Sequence, residues 1–318
     1  MLYEPDPNLV VYFQNRFVPL GEAKLSILTH ALHYGTGVFE GIRAYWNSSE
    51  RELYLVRPGD HFARWRANCG LLFIDLGATA DELTQLTIDL IQRNRFETDL
   101  YIRPIAYRSA ARIGIHPDDR YDFALIAIPY EGYMDSARGV RAAVSSWRRV
   151  EDTAIPGRGK ICGAYVNSVL AGEEVRRNGY DEAIFLTESG HVAEGASCNI
   201  FAVRHGKLIT PPPSDNILEG ITRECVIDLA RRELNVEVQQ RSIDRSELYQ
   251  ADEVFFTGTA VEVAPVVEID HRPVGHGRVG RLTEELRRLY LDATHGRLIH
   301  YSHWLTHVYK PVRGGAPA

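Results

Sequence analysis

The chain has 318 residues, of which 45% are hydrophobic and 25% are charged, with a formal net charge of -6 and a pI near 6.1. These values are ordinary for a globular protein, and they give no electrostatic reason to expect a nucleic acid or an anionic membrane as partner. The length fits two domains, each with its own core, and the acidic balance fits a small soluble substrate.

The cysteines and the N-terminus indicate the cellular compartment. The four cysteines are scattered, without the spacing of a zinc site or of a disulfide framework, so we expect no metal and a reducing environment. The first residues, MLYEPDPNLV, lack the basic start and apolar core of a signal peptide, and no long apolar run follows. The sequence therefore predicts a cytoplasmic protein.

The N-terminal half mixes short strands with two amphipathic helices. Alternation and helical periodicity predict, in chain order, strands at 9–13 and 38–40, helices at 60–72 and 80–94, and strands at 100–107 and 123–128. Asp60 is suited to cap the first of these helices. Tyr101 and Arg103 lie on one face of their strand because side chains two residues apart point the same way. Together they suit a carboxylate clamp, and a cross-strand salt bridge is the alternative.

Residues 129–138, PYEGYMDSAR, break this pattern and are predicted to link a domain at 1–128 to a larger one at 139–318. The larger domain is predicted to contain, in chain order, a strand at 140–147, a helix at 165–177, strands at 182–187, 195–203 and 207–210, a helix at 218–234, strands within 252–268, and a helix at 282–292.

Three features of the second half carry possible chemistry. Lys160 lies among small residues just ahead of a predicted helix, where it is either a solvated loop lysine or a candidate nucleophile. Glu194 stands in an otherwise apolar stretch and needs a partner. The first turn of the helix at 218–234 offers N–H groups near Ile221 and Thr222, the usual geometry for binding phosphate.

Two nucleotide-binding patterns fail on context. The hexapeptide 275–280, GHGRVG, satisfies G-x-G-x-x-G, but no strand with an acidic residue follows it. The GRGK run that ends at Lys160 lacks the earlier glycine of a P-loop, and Ile161 stands where Ser or Thr would bind magnesium. His30 and His33 have no third partner and are read as hydrogen-bonded structural residues.

Taken together, the motifs closely resemble those of the branched-chain amino acid aminotransferases, which are fold-type IV pyridoxal-phosphate enzymes. The resemblance covers nearly the whole chain and rests on HALHYGTGVFEGIRAY, LYIRPIAY, SSWRRV, GKICGAYVNS, VAEGASCNIF, LEGITRE and FFTGTAVE, in family order. It implies a mixed α/β fold with two domains, a small N-terminal α/β domain and a larger one with a barrel-like sheet. It also implies transamination between leucine, isoleucine or valine and 2-oxoglutarate.

The resemblance implies a role for each cofactor-site residue. Lys160 would hold pyridoxal 5'-phosphate covalently and later move a proton, Glu194 would pair with the pyridine nitrogen, and Tyr165 would donate to the phenolic oxygen. The phosphate would be held by Arg64, the N–H groups of Ile221 and Thr222, and Thr259.

The resemblance also places substrate residues. The pocket would be lined by Phe39, Tyr101, Tyr130, Tyr165 and the backbone at Thr259 and Ala260, with Tyr34 and Ile115 reaching in from a second subunit. Arg103 would bind the distal carboxylate of glutamate or 2-oxoglutarate. A pocket shared between subunits implies at least a homodimer, and larger homo-oligomers stay open.

Some residues depart from the family pattern, and other activities remain open. Cys198 stands in place of a glutamate, Tyr130 in place of a tryptophan, and 111–113 alters a loop over the pocket, so substrate range is in question. A D-amino acid or (R)-amine transaminase would share the cofactor residues, but Tyr101 and Arg103 favour the branched-chain group. An aminodeoxychorismate lyase would use the same lysine, and a binding protein without catalysis would not need Lys160 or Glu194.

Overall fold

The computed structural model describes residues 6–116, 118–130, 132 and 138–310. The described residues form two compact units, one within Met1–Glu131 and Asp292–Ala318 and the other within Gly132–Leu291. Each unit is built on one β-sheet with helices, so the fold is mixed α/β as predicted.

Strands and helices alternate along the whole described chain. The strands are β1 (Val10–Phe13), β2 (Arg16–Pro19), β3 (Gly37–Phe39), β4 (Ile42–Asn47), β5 (Glu52–Val56), β6 (Leu100–Arg108), β7 (Tyr121–Pro129), β8 (Val140–Arg148), β9 (Glu182–Leu186), β10 (Val192–Gly195), β11 (Asn199–Arg204), β12 (Lys207–Thr210), β13 (Val238–Gln240), β14 (Glu253–Gly258), β15 (Glu262–Ile269), β16 (Arg272–Pro273) and β17 (Leu305–His307). The α-helices are α1 (His30–Tyr34), α2 (Pro58–Leu71), α3 (Ala80–Asn94), α4 (Tyr165–Arg177), α5 (Ile221–Arg232), α6 (Arg245–Leu248) and α7 (Arg281–Thr294).

The first unit has an eight-stranded sheet in the order β17-β5-β4-β6-β7-β1-β2, with β3 also paired to β6. Its backbone is antiparallel throughout, and β6 and β7 pair without interruption from Leu100↔Pro129 to Arg108↔Tyr121. A Cβ atom on Gly41 would lie 2.1 Å from the Tyr101 hydroxyl oxygen, so the close approach predicted for these glycines is to the unit's own Tyr101. Every residue of β3 and β5 is buried, which fixes Phe39 in the sheet.

The second unit has a nine-stranded sheet in the order β10-β9-β8-β15-β14-β11-β12-β13, with β16 paired to β15. The chain leaves β8 and returns along α4 to the parallel strand β9, so the segment that carries Lys160 connects β8 to α4. The helix α4 ends at Asn178, and Gly179 follows with φ +82°, a backbone conformation that glycine adopts readily.

The two compact units differ from the predicted domains in one respect. Residues 292–310 group with the first unit, because β17 pairs antiparallel with β5 from Leu305↔Val56 to His307↔Tyr54. The predicted division into 1–128, 129–138 and 139–318 had left this segment in the second domain. Most of the predicted linker, residues 131 and 133–137, lies outside the described residues.

Helix starts also differ from the sequence-based boundaries. The helix predicted at 60–72 begins at Pro58, since proline fits the first helical position, and its N-cap is Arg57. Asp60 is therefore not the cap, and its carboxylate instead pairs with Arg57 at 2.7 Å. The helix predicted at 218–234 is shorter, because Gly220 is its N-cap.

Candidate active site

Lys160 and Tyr165 are in direct contact in the second unit. Lys160 is half-buried in the connection between β8 and α4, and its Nζ donates to the Tyr165 hydroxyl oxygen at 2.9 Å. Tyr165 is the first residue of α4, and the 3-10 turn Cys162–Ala164 brings it back toward the lysine. The pair places a nucleophilic amine beside a hydroxyl group that can donate or accept a hydrogen bond.

Glu194 is a buried carboxylate on β10. One of its oxygens accepts hydrogen bonds from Asn199 Nδ2 at 3.0 Å and from the Leu218 amide at 3.1 Å. The other oxygen forms an ion pair with Arg149 Nη2 at 2.9 Å. Burial raises the pKa of Glu194, while the charges of Arg149 and Lys160 act in the opposite direction. A carboxyl group poised in this way can share a proton with a basic nitrogen.

The N-terminus of α5 has no side-chain cap. Its N-cap residue is Gly220, and Ile221 and Thr222 are the first two helical residues, both buried. A Cβ atom on Gly220 would lie 2.0 Å from Asn199 Oδ1, so no capping side chain fits there. The first N–H groups of a helix have no acceptor within the helix, and the helix dipole favours an anion near them. Thr259 follows β14 and is half-buried.

Arg64 is the predicted phosphate ligand that lies in the first unit. It projects from α2, and its Nε and Nη2 donate to the two carboxylate oxygens of Glu40 at 3.0 Å and 2.8 Å. Glu40 is fully buried and also contacts His61 Nδ1 at 2.6 Å. The guanidinium group is therefore held in a fixed orientation by a bidentate ion pair.

Four predicted substrate residues of the first unit lie together: Phe39, Tyr101, Arg103 and Tyr130. Arg103 Nη2 donates to the Tyr101 hydroxyl oxygen at 2.9 Å, and its guanidinium carbon lies 4.5 Å from the centre of the Phe39 ring. The Tyr101 and Tyr130 rings are 5.3 Å apart. Among the described residues Arg103 Nε is buried without a hydrogen-bond partner, so this cluster is not the cross-strand salt bridge considered above. The unsatisfied donor suits an anionic ligand.

Tyr34 and Ile115 are on the surface of the chain. Tyr34 ends α1, is 37% exposed, and accepts a hydrogen bond from the Gly114 amide at 3.0 Å. Ile115, one residue further on, is 73% exposed. The structure therefore brings these two predicted residues close to each other, on one surface.

Residues 37–269 match the family described as amino-transferase class IV. This match covers most of the chain and contains the whole Lys160, Tyr165 and Glu194 arrangement. The chain belongs to the class IV aminotransferase family. The family predicted from the sequence is therefore confirmed.

Relatives of this class IV aminotransferase agree over nearly their full length. The chain is 48% identical over 299 residues, 94% of this chain and 96% of the relative, to a probable branched-chain-amino-acid aminotransferase of Aquifex aeolicus. It is also similar to the branched-chain aminotransferase of Thermoproteus uzoniensis solved with norvaline, with a TM-score of 0.90, 44% identity, and 95% and 99% of the two chains covered. The fold class is thereby confirmed as that of fold-type IV.

A third comparison concerns a structure with a cofactor adduct. A branched-chain amino acid aminotransferase complexed with N-(5'-phosphopyridoxyl)-L-glutamate, from the organism abbreviated T.th., matches with a TM-score of 0.89 and 40% identity, over 94% of this chain and 98% of that one.

Sequence reasoning missed several supporting residues of this class IV aminotransferase. Arg149, Asn199 and Glu40 each contact a predicted site residue, but they come from other elements and no local spacing relates them to it. SSWRRV, which contains Arg149, was part of the resemblance without a role for the arginine. Within the described ranges, no group of three or more His, Cys, Asp or Glu residues is placed to hold a metal ion.

Proposed function

We infer that the chain is a pyridoxal-phosphate-dependent aminotransferase that exchanges the amino group between an L-branched-chain amino acid and 2-oxoglutarate. Leucine, isoleucine and valine would give their 2-oxo acids, and 2-oxoglutarate would give L-glutamate. The observation that carries the proposal is the contact between Lys160 and Tyr165 in the same unit as the buried Glu194. The names of the relatives and the glutamate adduct in the third of the compared structures support the substrate class.

The chemistry of the residues fits pyridoxal 5'-phosphate. Lys160 supplies the amine that holds an aldehyde covalently, and Glu194 supplies a buried acid for the ring nitrogen. The uncapped N–H groups at Ile221 and Thr222 fit a phosphate. We propose Arg64 and Thr259 as further phosphate ligands and Tyr165 as the donor to the phenolic oxygen.

Three side chains of the chain itself carry the chemistry. When bound, pyridoxal 5'-phosphate supplies a carbonyl that reacts with amines and a ring that accepts the electron pair left at Cα. Lys160 Nζ removes the proton from Cα of the amino acid and returns it on the other side of the reaction. The Tyr165 hydroxyl orients that amine through the 2.9 Å contact. Glu194 holds a proton on the pyridine nitrogen.

We propose that the substrate side chain contacts Phe39, Tyr101, Tyr130 and Ala260. Arg103 binds the distal carboxylate of glutamate, which would satisfy its buried Nε. An arginine beside a tyrosine accepts this carboxylate and still leaves apolar ring surface for leucine. One set of residues then serves both halves of the exchange.

We further propose a homodimer in which Tyr34 and Ile115 reach the pocket of the partner subunit. Exposed apolar side chains support an interface: Ile27, Leu28, Leu32, Tyr34, Ile113 and Ile115 in the first unit, and Val166, Val169 and Leu170 in the second. The mass of the purified protein in solution tests the dimer. No described helix has the length and apolar character needed to cross a membrane. The cytoplasmic location and the domain boundaries at 128 and 139 stay predictions.

A two-substrate assay tests the proposed activity. Purified holoenzyme is given L-leucine, D-alanine, L-phenylalanine or (R)-1-phenylethylamine in turn, each with 2-oxoglutarate, and L-glutamate is measured. We expect L-leucine to be preferred and Lys160→Ala to abolish the reaction. A preference for D-alanine would contradict the substrate assignment and leave the cofactor assignment intact, whereas no amino transfer from any donor would contradict both.

A further inference from the structure

Arg149 contacts the buried acid of the proposed cofactor site. It follows β8 directly, and its Nη2 lies 2.9 Å from one oxygen of Glu194. The side chains of both residues are almost entirely buried, at 11% and 7% exposure. A buried ion pair of this kind stabilises a fold weakly, because desolvation offsets most of the attraction. Its presence beside a reacting group therefore asks for a functional explanation.

The guanidinium group of Arg149 has a defined position. The Arg149 amide donates to the Leu186 carbonyl at 2.9 Å, and Nε donates to the Asn216 carbonyl at 3.2 Å. Its guanidinium carbon also lies 6.0 Å from the centre of the Phe185 ring. Backbone and side chain are thus both anchored, so the positive charge stays next to Glu194.

The two oxygens of Glu194 have different surroundings. One accepts hydrogen bonds from the neutral donors Asn199 Nδ2 and the Leu218 amide, and the other faces Arg149. The neutral donors orient the carboxyl group, and the arginine supplies a full positive charge at ion-pair distance. The orientation and the charge state of Glu194 therefore have separate sources.

Other charged or titratable groups face Glu194 from the elements around it. Lys160 and Arg223 carry positive charges that lower its pKa, and the buried Cys198 thiol is close enough to be affected by it. Arg223 spends its donors on Thr210, the Pro211 carbonyl and Gln240. Lys160 donates to Tyr165. Arg149 is the cation in ion-pair contact, and it is first among the groups that oppose the rise in the pKa of Glu194 caused by burial.

We propose that Arg149 is a positioning residue that keeps Glu194 ionised, so that the proton shared with the pyridine nitrogen stays on the nitrogen. The inference rests on the proposed function, in which Glu194 pairs with that nitrogen. A cation beside the carboxylate favours the arrangement with negative charge on Glu194 over the arrangement with a neutral carboxyl group. The protonated ring is the one that accepts electrons from Cα.

Arg149→Met, Arg149→Gln and Arg149→Lys separate charge from structure. In apoenzyme labelled with 13C at glutamate carboxyl groups, infrared spectra report the protonation of Glu194, with Glu194→Gln used to assign the band. We expect Glu194 to be protonated at neutral pH in the Met and Gln variants and ionised in wild type and in the Lys variant. This measurement needs no bound cofactor.

The loaded enzyme provides a second readout. With 15N-labelled pyridoxal 5'-phosphate bound, we expect the ring-nitrogen NMR signal to move toward that of unprotonated pyridine in the Met and Gln variants. The kcat with L-leucine should fall about tenfold or more, the scale of losing a preorganised charge in a buried site. The Lys variant should restore both, and Arg141→Met, which removes a half-exposed ion pair of β8 to Glu268, should change neither.

The outcomes distinguish the two proposals. Ionised Glu194 at neutral pH in the Met and Gln apoenzymes would overturn the role of Arg149, whatever the activity. If the Met variant does not fold, the Gln variant decides, since its amide can still donate to the Asn216 carbonyl. A wild-type enzyme that binds the cofactor but transfers no amino group would instead contradict the proposed function and leave the infrared result standing.

Discussion

At the scale of single residues, one glycine links the two ends of the proposed cofactor site. Gly220 precedes α5, and a Cβ atom there would lie 2.0 Å from Asn199 Oδ1. Asn199 in turn donates to Glu194 at 3.0 Å. The uncapped helix start and the orientation of the buried carboxylate therefore depend on the same missing methyl group.

Gly220→Ala should weaken cofactor binding. The added methyl group displaces Asn199, which disturbs the helix start and the hydrogen bond to Glu194 together, and we expect the Kd for pyridoxal 5'-phosphate to rise by about tenfold or more. Fluorescence titration of apoenzyme measures it. The matched control is Gly172→Ala within α4, where a Cβ atom meets nothing within 4 Å. Equal affinity of the Gly220 variant and wild type would contradict this coupling.

Glu182 is a second buried acid, at the start of β9. One of its oxygens accepts hydrogen bonds from the Ala183 and Ala196 amides at 3.0 Å and 2.9 Å, which fastens the turn that follows Glu194. Burial outweighs these bonds and raises the pKa of Glu182 from 4.5 to about 7. The folded protein thus binds a proton here that the unfolded chain releases at lower pH.

The pKa of Glu182 predicts a pH dependence of stability. Its contribution is fully present below the unfolded pKa of 4.5 and is lost as pH rises through about 7, a difference of about 3 kcal/mol. Glu182→Gln keeps an oxygen acceptor and cannot ionise, so the free energy of unfolding should fall less from mildly acidic to alkaline pH than in wild type. Urea unfolding across this range measures it. The exposed Glu188→Gln serves as control, and identical profiles for Glu182→Gln and wild type would contradict the prediction.

At the scale of elements, the sequence predicted those with strong local signals. The helix predicted at 80–94 is α3 with the same bounds, because Thr79 and Glu82 form a reciprocal capping box at its start. The strand β5 was missed. All its residues are buried, including Glu52, so neither alternation nor polarity marked it. A buried glutamate is explained only by partners distant in sequence.

The partners of Glu52 are in the last described segment of the chain. Its carboxylate accepts hydrogen bonds from the amides of Leu53, Val308, Tyr309 and Lys310 at 2.8–3.2 Å, and it pairs with His307 Nδ1 at 3.0 Å. Desolvation raises the pKa of Glu52, but these hydrogen bonds outweigh it and lower the pKa overall. The segment is therefore tied to the edge of the first unit's sheet by one carboxylate.

Glu52→Gln should loosen this segment. The new amide group would face the donors of His307 and Lys310, which costs about 1–3 kcal/mol for unsatisfied buried donors. Hydrogen exchange at residues 307–310 should accelerate, while β6 keeps its protection. Because the pKa is lowered in the folded state, wild type should lose the same protection as pH falls through the folded pKa of Glu52. Exposed Glu97→Gln is the control, and unchanged exchange in Glu52→Gln would contradict the clasp.

At the scale of the whole molecule, the resemblance located the cofactor residues, and the physics of the site explains why it did not locate the rest. Lys160, Tyr165 and Glu194 lie in motifs and were named from sequence. Arg149 could not be assigned, because its meaning depends on a contact across 45 positions of the chain, between residues 149 and 194. A single chain also carries no direct signal for residues that act in a partner. Tyr34 was assigned to the second subunit by resemblance alone.

Mixed dimers test whether Tyr34 and Ile115 act across subunits. One chain carries Lys160→Ala, and the other carries Tyr34→Ala with Ile115→Ala, and each homodimer should be weakly active or inactive. In the mixed dimer, the site with an intact Lys160 receives an intact Tyr34 and Ile115 from its partner, so activity should return. Random mixing of equal amounts gives half mixed dimers with one complete site each, so we expect about one quarter of wild-type kcat per chain. Pairing Lys160→Ala with Arg103→Ala should give no recovery, because Arg103 is proposed to act in its own subunit. Recovery with Arg103→Ala but not with the Tyr34 and Ile115 variant would reverse the assignment.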